Sequence, residues 1–254
     1  YNNQITTKKK LKEISPNTRV LVHLAWDGVL GKFRNSKQEQ ENNIELIKKT
    51  IEFSKKYNIS HWVGFGSQAE YGVCNHRITE STKLNPITLY GKAKVECLRY
   101  IEKTLPKNNI SYTWLRIFDV YGPGDNPAWV LPYVINQLLE GKEPSLTKCE
   151  QMWDYIYIDD VARIIQQVIK NKIFGIYNLC SGKSHNLRDI FQKVNHLINS
   201  SLKIKYGAIE YSPNQVMLLE GENIKLMNKI GKFTFTDIDE GLSKTIEYAR
   251  KSVN

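Results

Sequence analysis

Pro86-Ile-Thr-Leu-Tyr90-Gly-Lys92-Ala-Lys94-Val-Glu96-Cys-Leu-Arg-Tyr100 is the stretch from which the fold can be read. Proline is disfavoured inside a helix and tolerated at its start. Beyond Pro86, Leu89, Ala93, Cys97 and Ile101 recur at helical spacing and predict a helix running to about Leu105. Tyr90 and Lys94 then share one helix face, so a phenol and an ammonium can project into the same cleft. A free tyrosine titrates near ~10, and a neighbouring cation lowers that value by roughly 1 to 3 units. On this reading Lys94 depresses the Tyr90 pKa and makes Tyr90 a usable acid/base.

Tyr and Lys are common residues, and the pair gains meaning from the segment upstream. His61-Trp-Val-Gly-Phe-Gly-Ser67-Gln68-Ala69-Glu70-Tyr71-Gly72 reads as a short buried strand, Trp62 to Phe65, that ends in small and polar residues. A hydroxyl at a strand's C-terminal end, followed by a helix with Tyr and Lys, puts Ser67 where open α/β sheets bind their ligands.

Working outward, Val20-Leu-Val-His23-Leu24-Ala25-Trp26 is an apolar run too short for a helix, ending at Asp27-Gly28 as a buried parallel strand does. A helix over about Asn35 to Tyr57 follows, with Ile44, Ile47, Ile51 and Phe53 inward and lysines outward. Ile110 to Gly124 reads as a strand running into a turn, Ala128 to Gly141 as an apolar helix, and Gln151 to Ala162 as a strand entering a helix. Ile176 to Gly182 is a last short strand, and Asn186 caps a further helix. Strand and helix alternating at these spacings indicate a parallel sheet with helices on both faces.

The order of a strand ending at Ser67, then Tyr90-x-x-x-Lys94, resembles the short-chain dehydrogenase/reductase superfamily. The words from Val20 to Leu242 are similar to its extended branch, the NAD(P)-dependent nucleotide-sugar epimerases, dehydratases and reductases. The resemblance implies a Rossmann-type doubly wound parallel sheet, with a small C-terminal α+β lobe for the substrate. It divides the chain into a dinucleotide-binding part, 1–180, and a substrate lobe, 181–254, to which 123–150 contribute. The implied cofactor is NAD or NADP, and the implied partners are a nucleotide-sugar substrate and a second copy of the chain.

By the same resemblance Ser67, Tyr90 and Lys94 are catalytic. Leu24, Ala25, Trp26, Asn43, Tyr90, Lys94 and Phe118 match positions lining the cofactor, and Ser67, Gln68, Asp119 and Trp153 match positions facing the substrate. Four departures bear on the reaction. Dehydratases carry an Asp-Glu pair where this chain has Gln68-Ala69, which cannot titrate. Trp153 stands where several epimerases have an Arg that clamps the diphosphate, Ser212 stands near a second such position, and Asp119 replaces the usual Asn. The Gln151-Met-Trp-Asp-Tyr155 word is similar to a reductase-like subgroup, which shifts the expectation from epimerase toward 4-keto reductase.

The chain of 254 residues is long enough for one large domain or two small lobes. It has no apolar run near the ~18 residues of a membrane span and no apolar leader at its start, so the sequence reading is a cytoplasmic protein without membrane partners. Four scattered cysteines without Cys/His ligand spacing predict neither disulfides nor a metal site. The net charge of +10 raises the question of a polyanion partner. Its lysines are spread and mixed with acids, Lys8-Lys9-Lys10 being the one tight run, so no nucleic-acid partner is expected.

A G-x-x-G-x-x-G word, whose glycines let a backbone approach a pyrophosphate, is missing. Gly64 and Gly66 do not fill that role, because their strand leads to Ser67. The family places that turn well ahead of the His23-Leu-Ala word, so the sequence reading expects an N-terminally incomplete chain lacking the first strands. It leaves open a second reading, a catalytically inactive truncated remnant of such an enzyme.

Overall fold

A computed structural model describes residues 19–253, and the lysine run and the tail-like segment at residues 1 to 17 lie outside them. The chain enters through β1, Val20–His23, then a short 3-10 turn, Gly31–Asn35, and α1, Lys37–Lys56. β2, His61–Ser67, runs into a 3-10 turn, Gln68–Glu70, and after a long loop into α2, Leu89–Thr104. β3, Ser111–Ile117, is followed by β4, Asp119–Tyr121, α3, Val130–Leu139, β5, Met152–Trp153, β6, Tyr155–Tyr157, and α4, Ile158–Lys170. The remainder is β7, Gly175–Leu179, β8, His185–Asn186, α5, Leu187–Ile198, β9, Leu218–Leu219, α6, Ile224–Ile230, and α7, Ile238–Val253.

The main sheet has the order β1-β2-β3-β7, with every pair parallel. Alternating side chains divide its two faces. On one, Trp62 and Trp114 pack against Ile47 and Ile51 of α1 and Cys97, Leu98 and Ile101 of α2. On the other, Val63 and Leu115 meet Ile164 and Val168 of α4 and Leu226 of α6. Both faces are therefore buried, as a parallel sheet requires.

Gly64 and Gly66 are there for packing. A Cβ at Gly64 would lie 2.2 Å from the Trp62 ring, and one at Gly66 would lie 2.2 Å from Glu70 Oε1. Their lack of side chains lets the two tryptophans stack at 6.3 Å between centroids. It also lets β2 continue to Ser67, two residues beyond the expected end at Phe65, with Ser67 in register with Ile117.

Capping side chains set the helix starts more sharply than periodicity does. Thr88 accepts a hydrogen bond from Gly91 N and starts α2 at Leu89; Ser36 accepts from Glu39 N and starts α1 at Lys37, leaving Asn35 in the preceding turn. Asn186 caps α5 as its sequence position predicts.

A third core lies under α3, α5 and α7, where Val134, Leu138, Phe191, Val194, Leu242 and Ile246 pack with Tyr121, Tyr155 and Tyr157. Asp154 fastens the segments beside it: its carboxylate accepts from Ser181 N (2.9 Å), Ser181 Oγ (2.6 Å), Gly182 N (3.1 Å) and Gly221 N (3.2 Å). The four cysteines are free and buried. Among the described residues no helix is long and apolar enough to cross a membrane, and no group of His, Cys, Asp or Glu could hold a metal ion.

Candidate active site

Ser67 ends β2 at the carboxyl edge of the main sheet. Its hydroxyl accepts from Ala69 N at 3.2 Å, while its own N–H donates to Glu70 Oε1 at 2.9 Å, a reciprocal capping box. Tyr90 is buried in the first turn of α2, and the Ser67 hydroxyl is near enough to act on its phenol. Lys94, one turn on and also buried, donates from Nζ to Phe65 O at 2.7 Å. The three side chains that the sequence singles out thus come together at the end of one central strand. The Lys94 Nζ is 5.6 Å from the Tyr90 ring centroid and 3.4 Å from that of Trp26.

The electrostatics depart from the expected division of labour. Burial holds the Tyr90 phenol above its usual pKa, against the lowering effects of the Ser67 hydroxyl and of Arg34. Burial also brings the Lys94 ammonium down to about 7. A desolvated amine turned toward a carbonyl beneath it is therefore not the cation that lowers Tyr90 in this state. The guanidinium of Arg34, in the Gly31–Asn35 turn, lies 4.8 Å from the Tyr90 ring centroid, and Trp26 meets the same ring edge-on at 5.9 Å.

Beneath Ser67 lies a buried ionic network. Glu70 accepts from Trp114 Nε1 at 3.0 Å and from Arg116 Nε at 2.7 Å; Arg116 donates onward to Tyr71 Oη at 3.0 Å, and Tyr71 donates to Asn178 Oδ1 at 2.6 Å. Burying charge is costly unless it is paired and hydrogen-bonded, and here every charge is both.

On the substrate-facing positions, Asp119 and Trp153 are partners, with Trp153 Nε1 donating to Asp119 Oδ2 at 2.5 Å. The two departures noted in the sequence therefore form one unit. Burial lifts the Asp119 carboxyl to about 6; the indole hydrogen bond and Arg34 pull it down, while Asp125 and Asp154 push it up. Gln68 is half-buried at the head of its turn.

Among the cofactor-side positions, Leu24 is 68% exposed and Ala25 is exposed, immediately beyond the carboxyl end of β1. Phe118 is buried against Tyr71, Ile78, Cys180 and Leu219. The Asn43 amide is engaged with the backbone of Asp27, accepting from its N–H at 3.0 Å and donating to its carbonyl at 2.8 Å, so it acts by holding the loop after β1. An exposed apolar backbone beside Tyr90 and Lys94 suits the flat ring and ribose hydroxyls of a nicotinamide nucleotide. The residues present therefore fit that end of a dinucleotide.

Arg34, Glu70 and Arg116 escaped the sequence reading. Glu70 had a local signal, since Ser67-x-x-Glu70 is a capping-box pattern. Arg34 had none, because it reaches Tyr90 through a contact between segments far apart in the chain.

Residues 2–180 match the sequence model of the NAD dependent epimerase/dehydratase family. The chain belongs to that family. This member is 27% identical over 247 residues to a CDP-abequose synthase of Salmonella muenchen, with 94% of the chain and 79% of the relative aligned. Its fold is similar to a Thermotoga maritima UDP-glucose 4-epimerase determined with UDP-glucose, at TM-score 0.84 and 25% identity, covering 93% of this chain and 78% of that one. A UDP-N-acetylglucosamine 4-epimerase from Methanobrevibacter ruminantium M1, determined with UDP-N-acetylmuramic acid, matches at TM-score 0.85 and 24% identity, covering 92% and 77%. The Rossmann-type doubly wound sheet is thus the family's own, and the protein is an enzyme of this NAD-dependent class.

Proposed function

We propose that the protein is an NAD(P)-dependent oxidoreductase or epimerase of a nucleotide-activated sugar, acting at C4 as a 4-keto reductase or 4-epimerase. The observation that carries the reading is the convergence of Ser67, Tyr90 and Lys94 at the end of β2, with the Ser67 hydroxyl acting on the phenol and the Lys94 amine bonded to Phe65 O. When bound, the nicotinamide accepts or returns the hydride. Tyr90 takes the hydroxyl proton as hydride leaves the carbon, or gives it back to the ketone oxygen as hydride arrives. Ser67 holds the same oxygen by a hydrogen bond, and Lys94 meets the ribose hydroxyls of the nucleotide. Leu24, Ala25 and Trp26 line the nicotinamide end, with Asn43 fixing their loop and Phe118 backing the site; Gln68, Asp119 and Trp153 face the sugar.

Dehydration is disfavoured, because Gln68 and Ala69 follow Ser67 and the next acid, Glu70, is committed to Arg116. The core under α3, α5 and α7 supports assigning residues 181–254, with 123–150, to the substrate lobe. The surface of α1 and α2 is the proposed seat of a second copy, which light scattering of the purified chain would reveal as twice the monomer mass.

The test is Tyr90→Phe assayed on nucleotide-4-keto-sugars by the loss of reduced-nicotinamide absorbance. Turnover should fall by about 10²–10⁴-fold with dinucleotide affinity nearly unchanged, and wild-type turnover in the variant would overturn the assignment. Equilibrium dialysis against NAD and NADP tests the dinucleotide assignment by itself, and binding of neither would overturn it.

A further inference from the structure

The cation facing Tyr90 comes from a turn that carries none of the proposed catalytic residues. The Gly31–Asn35 turn is tied down on both sides of Arg34. Gln40, buried in α1, donates to Gly28 O at 3.2 Å and to Phe33 O at 3.1 Å, and itself accepts from Trp26 Nε1 at 3.2 Å. On the other side of Arg34, Asn35 Oδ1 accepts from Leu89 N, the first residue of α2, at 3.0 Å. Arg34 is therefore delivered by a braced turn bonded directly to the helix that carries Tyr90.

We propose that Arg34 is a positioning residue for Tyr90: its guanidinium, held over the phenol ring, stabilises the phenolate that Tyr90 must be before it takes a proton from the sugar and becomes again when it gives one to the ketone oxygen. The inference rests on the reading of Tyr90 as the acid/base. A cation over an aromatic face is attracted by the ring even while the phenol is neutral, and the attraction grows when the ring gains charge. The groups around Tyr90 are few. Ser67 approaches from the end of β2 and favours ionisation, Glu70 lies in the following turn and opposes it, and Trp26 contributes only an apolar edge. Lys94, on the same helix, is turned to Phe65 O and packed against Trp26. Arg34 is thus the arginine or lysine among these neighbours whose charge acts on the phenol, and it acts on Asp119 as well. It links the acid/base to the substrate-facing carboxylate.

The experiment is an NMR titration of the tyrosine ring carbons in the full chain, without sugar or dinucleotide, with Y90F identifying the Tyr90 resonance. In R34M the Tyr90 midpoint should rise by about one pH unit or more, and R34K should recover at least half of that shift. If alkaline unfolding cuts the titration short, the phenolate fraction at the highest pH where the protein stays folded is compared instead. It should drop about tenfold in R34M, following the one-unit shift. An unmoved midpoint or an equal phenolate fraction in folded R34M overturns the proposal, as does R34K behaving like R34M. Because no substrate is involved, the outcome stands apart from the turnover assay of Y90F.

Discussion

The turn under Ser67 and the strand carrying Asp119 handle a carboxylate in opposite ways. Glu70 is surrounded by donors from Ser67, Trp114 and Arg116, and its partner Arg116 is itself tied to Tyr71. Asp119 has one strong donor, the Trp153 indole, and lies near two further acids, so it holds its proton up to about 6. The first arrangement fixes the residue that carries a hydroxyl. The second leaves a charge that is only partly compensated before anything binds, on the side where the substrate is proposed to lie. Rigidity has been concentrated where an atom must be positioned, and electrostatic slack left where a ligand must be recognised.

Substituting Glu70→Gln should break this contrast most severely. An amide nitrogen would face Arg116 Nε, donor against donor, and a buried guanidinium would lose its counter-charge. A loss of about 3–5 kcal/mol in urea unfolding is expected, and a change below about 1 kcal/mol would show that the network carries no such load.

Asp119→Asn sharpens the comparison from the other side. A free aspartate titrates near ~3.9, and the folded value is about 6, so the folded protein holds this proton more tightly than the unfolded chain. The stabilising contribution of the protonated form is therefore present below pH ~4 and lost as pH rises to about 6, above which the effect is constant. The amide variant has no proton to lose there. After allowance for solvent screening of a half-buried group, D119N should gain about 1–2 kcal/mol over wild type between its measurements at acid and neutral pH. Urea curves at the two pH values give the difference, and an identical gap at both would mean that Asp119 titrates normally.

The smallest effect belongs to Trp153→Phe, which keeps a ring and deletes the indole donor. Asp119 should then hold its proton to a higher pH still, seen in its carboxyl carbon shift, with a stability cost of about 1 kcal/mol. No movement of that titration would show that the indole hydrogen bond is not what restrains it.

How far these features could be read in the sequence follows chain separation. Tyr90 and Lys94 were legible because one helical turn separates them, and Ser67 because a strand that turns polar announces its own end. The strand's true length was not, because Gly66 and Ser67 read as its small, polar end until Trp114 and Glu70 are seen filling the space beside Gly66. Asp119 and Trp153 each stood out as an oddity, yet their pairing spans 34 residues of chain. Arg34 lies in a turn without periodicity, and the Asn35 bond that anchors it bridges 54 residues. The expected sharing of charge between Lys94 and Tyr90 failed for a related reason: spacing predicts a shared face, while desolvation depends on what the rest of the fold stacks above that face.

Asp154 carries a consequence for how the molecule is put together. Its four donors come from residues 181, 182 and 221, so the carboxylate cannot be satisfied until segments 27 and 67 positions downstream have arrived. Closing loops of that size is paid in chain entropy before any bond is returned, which makes this knot a late event in folding. A nascent chain halted before residue 221 would have three of these four donors and lack the one that ties in the last third of the molecule.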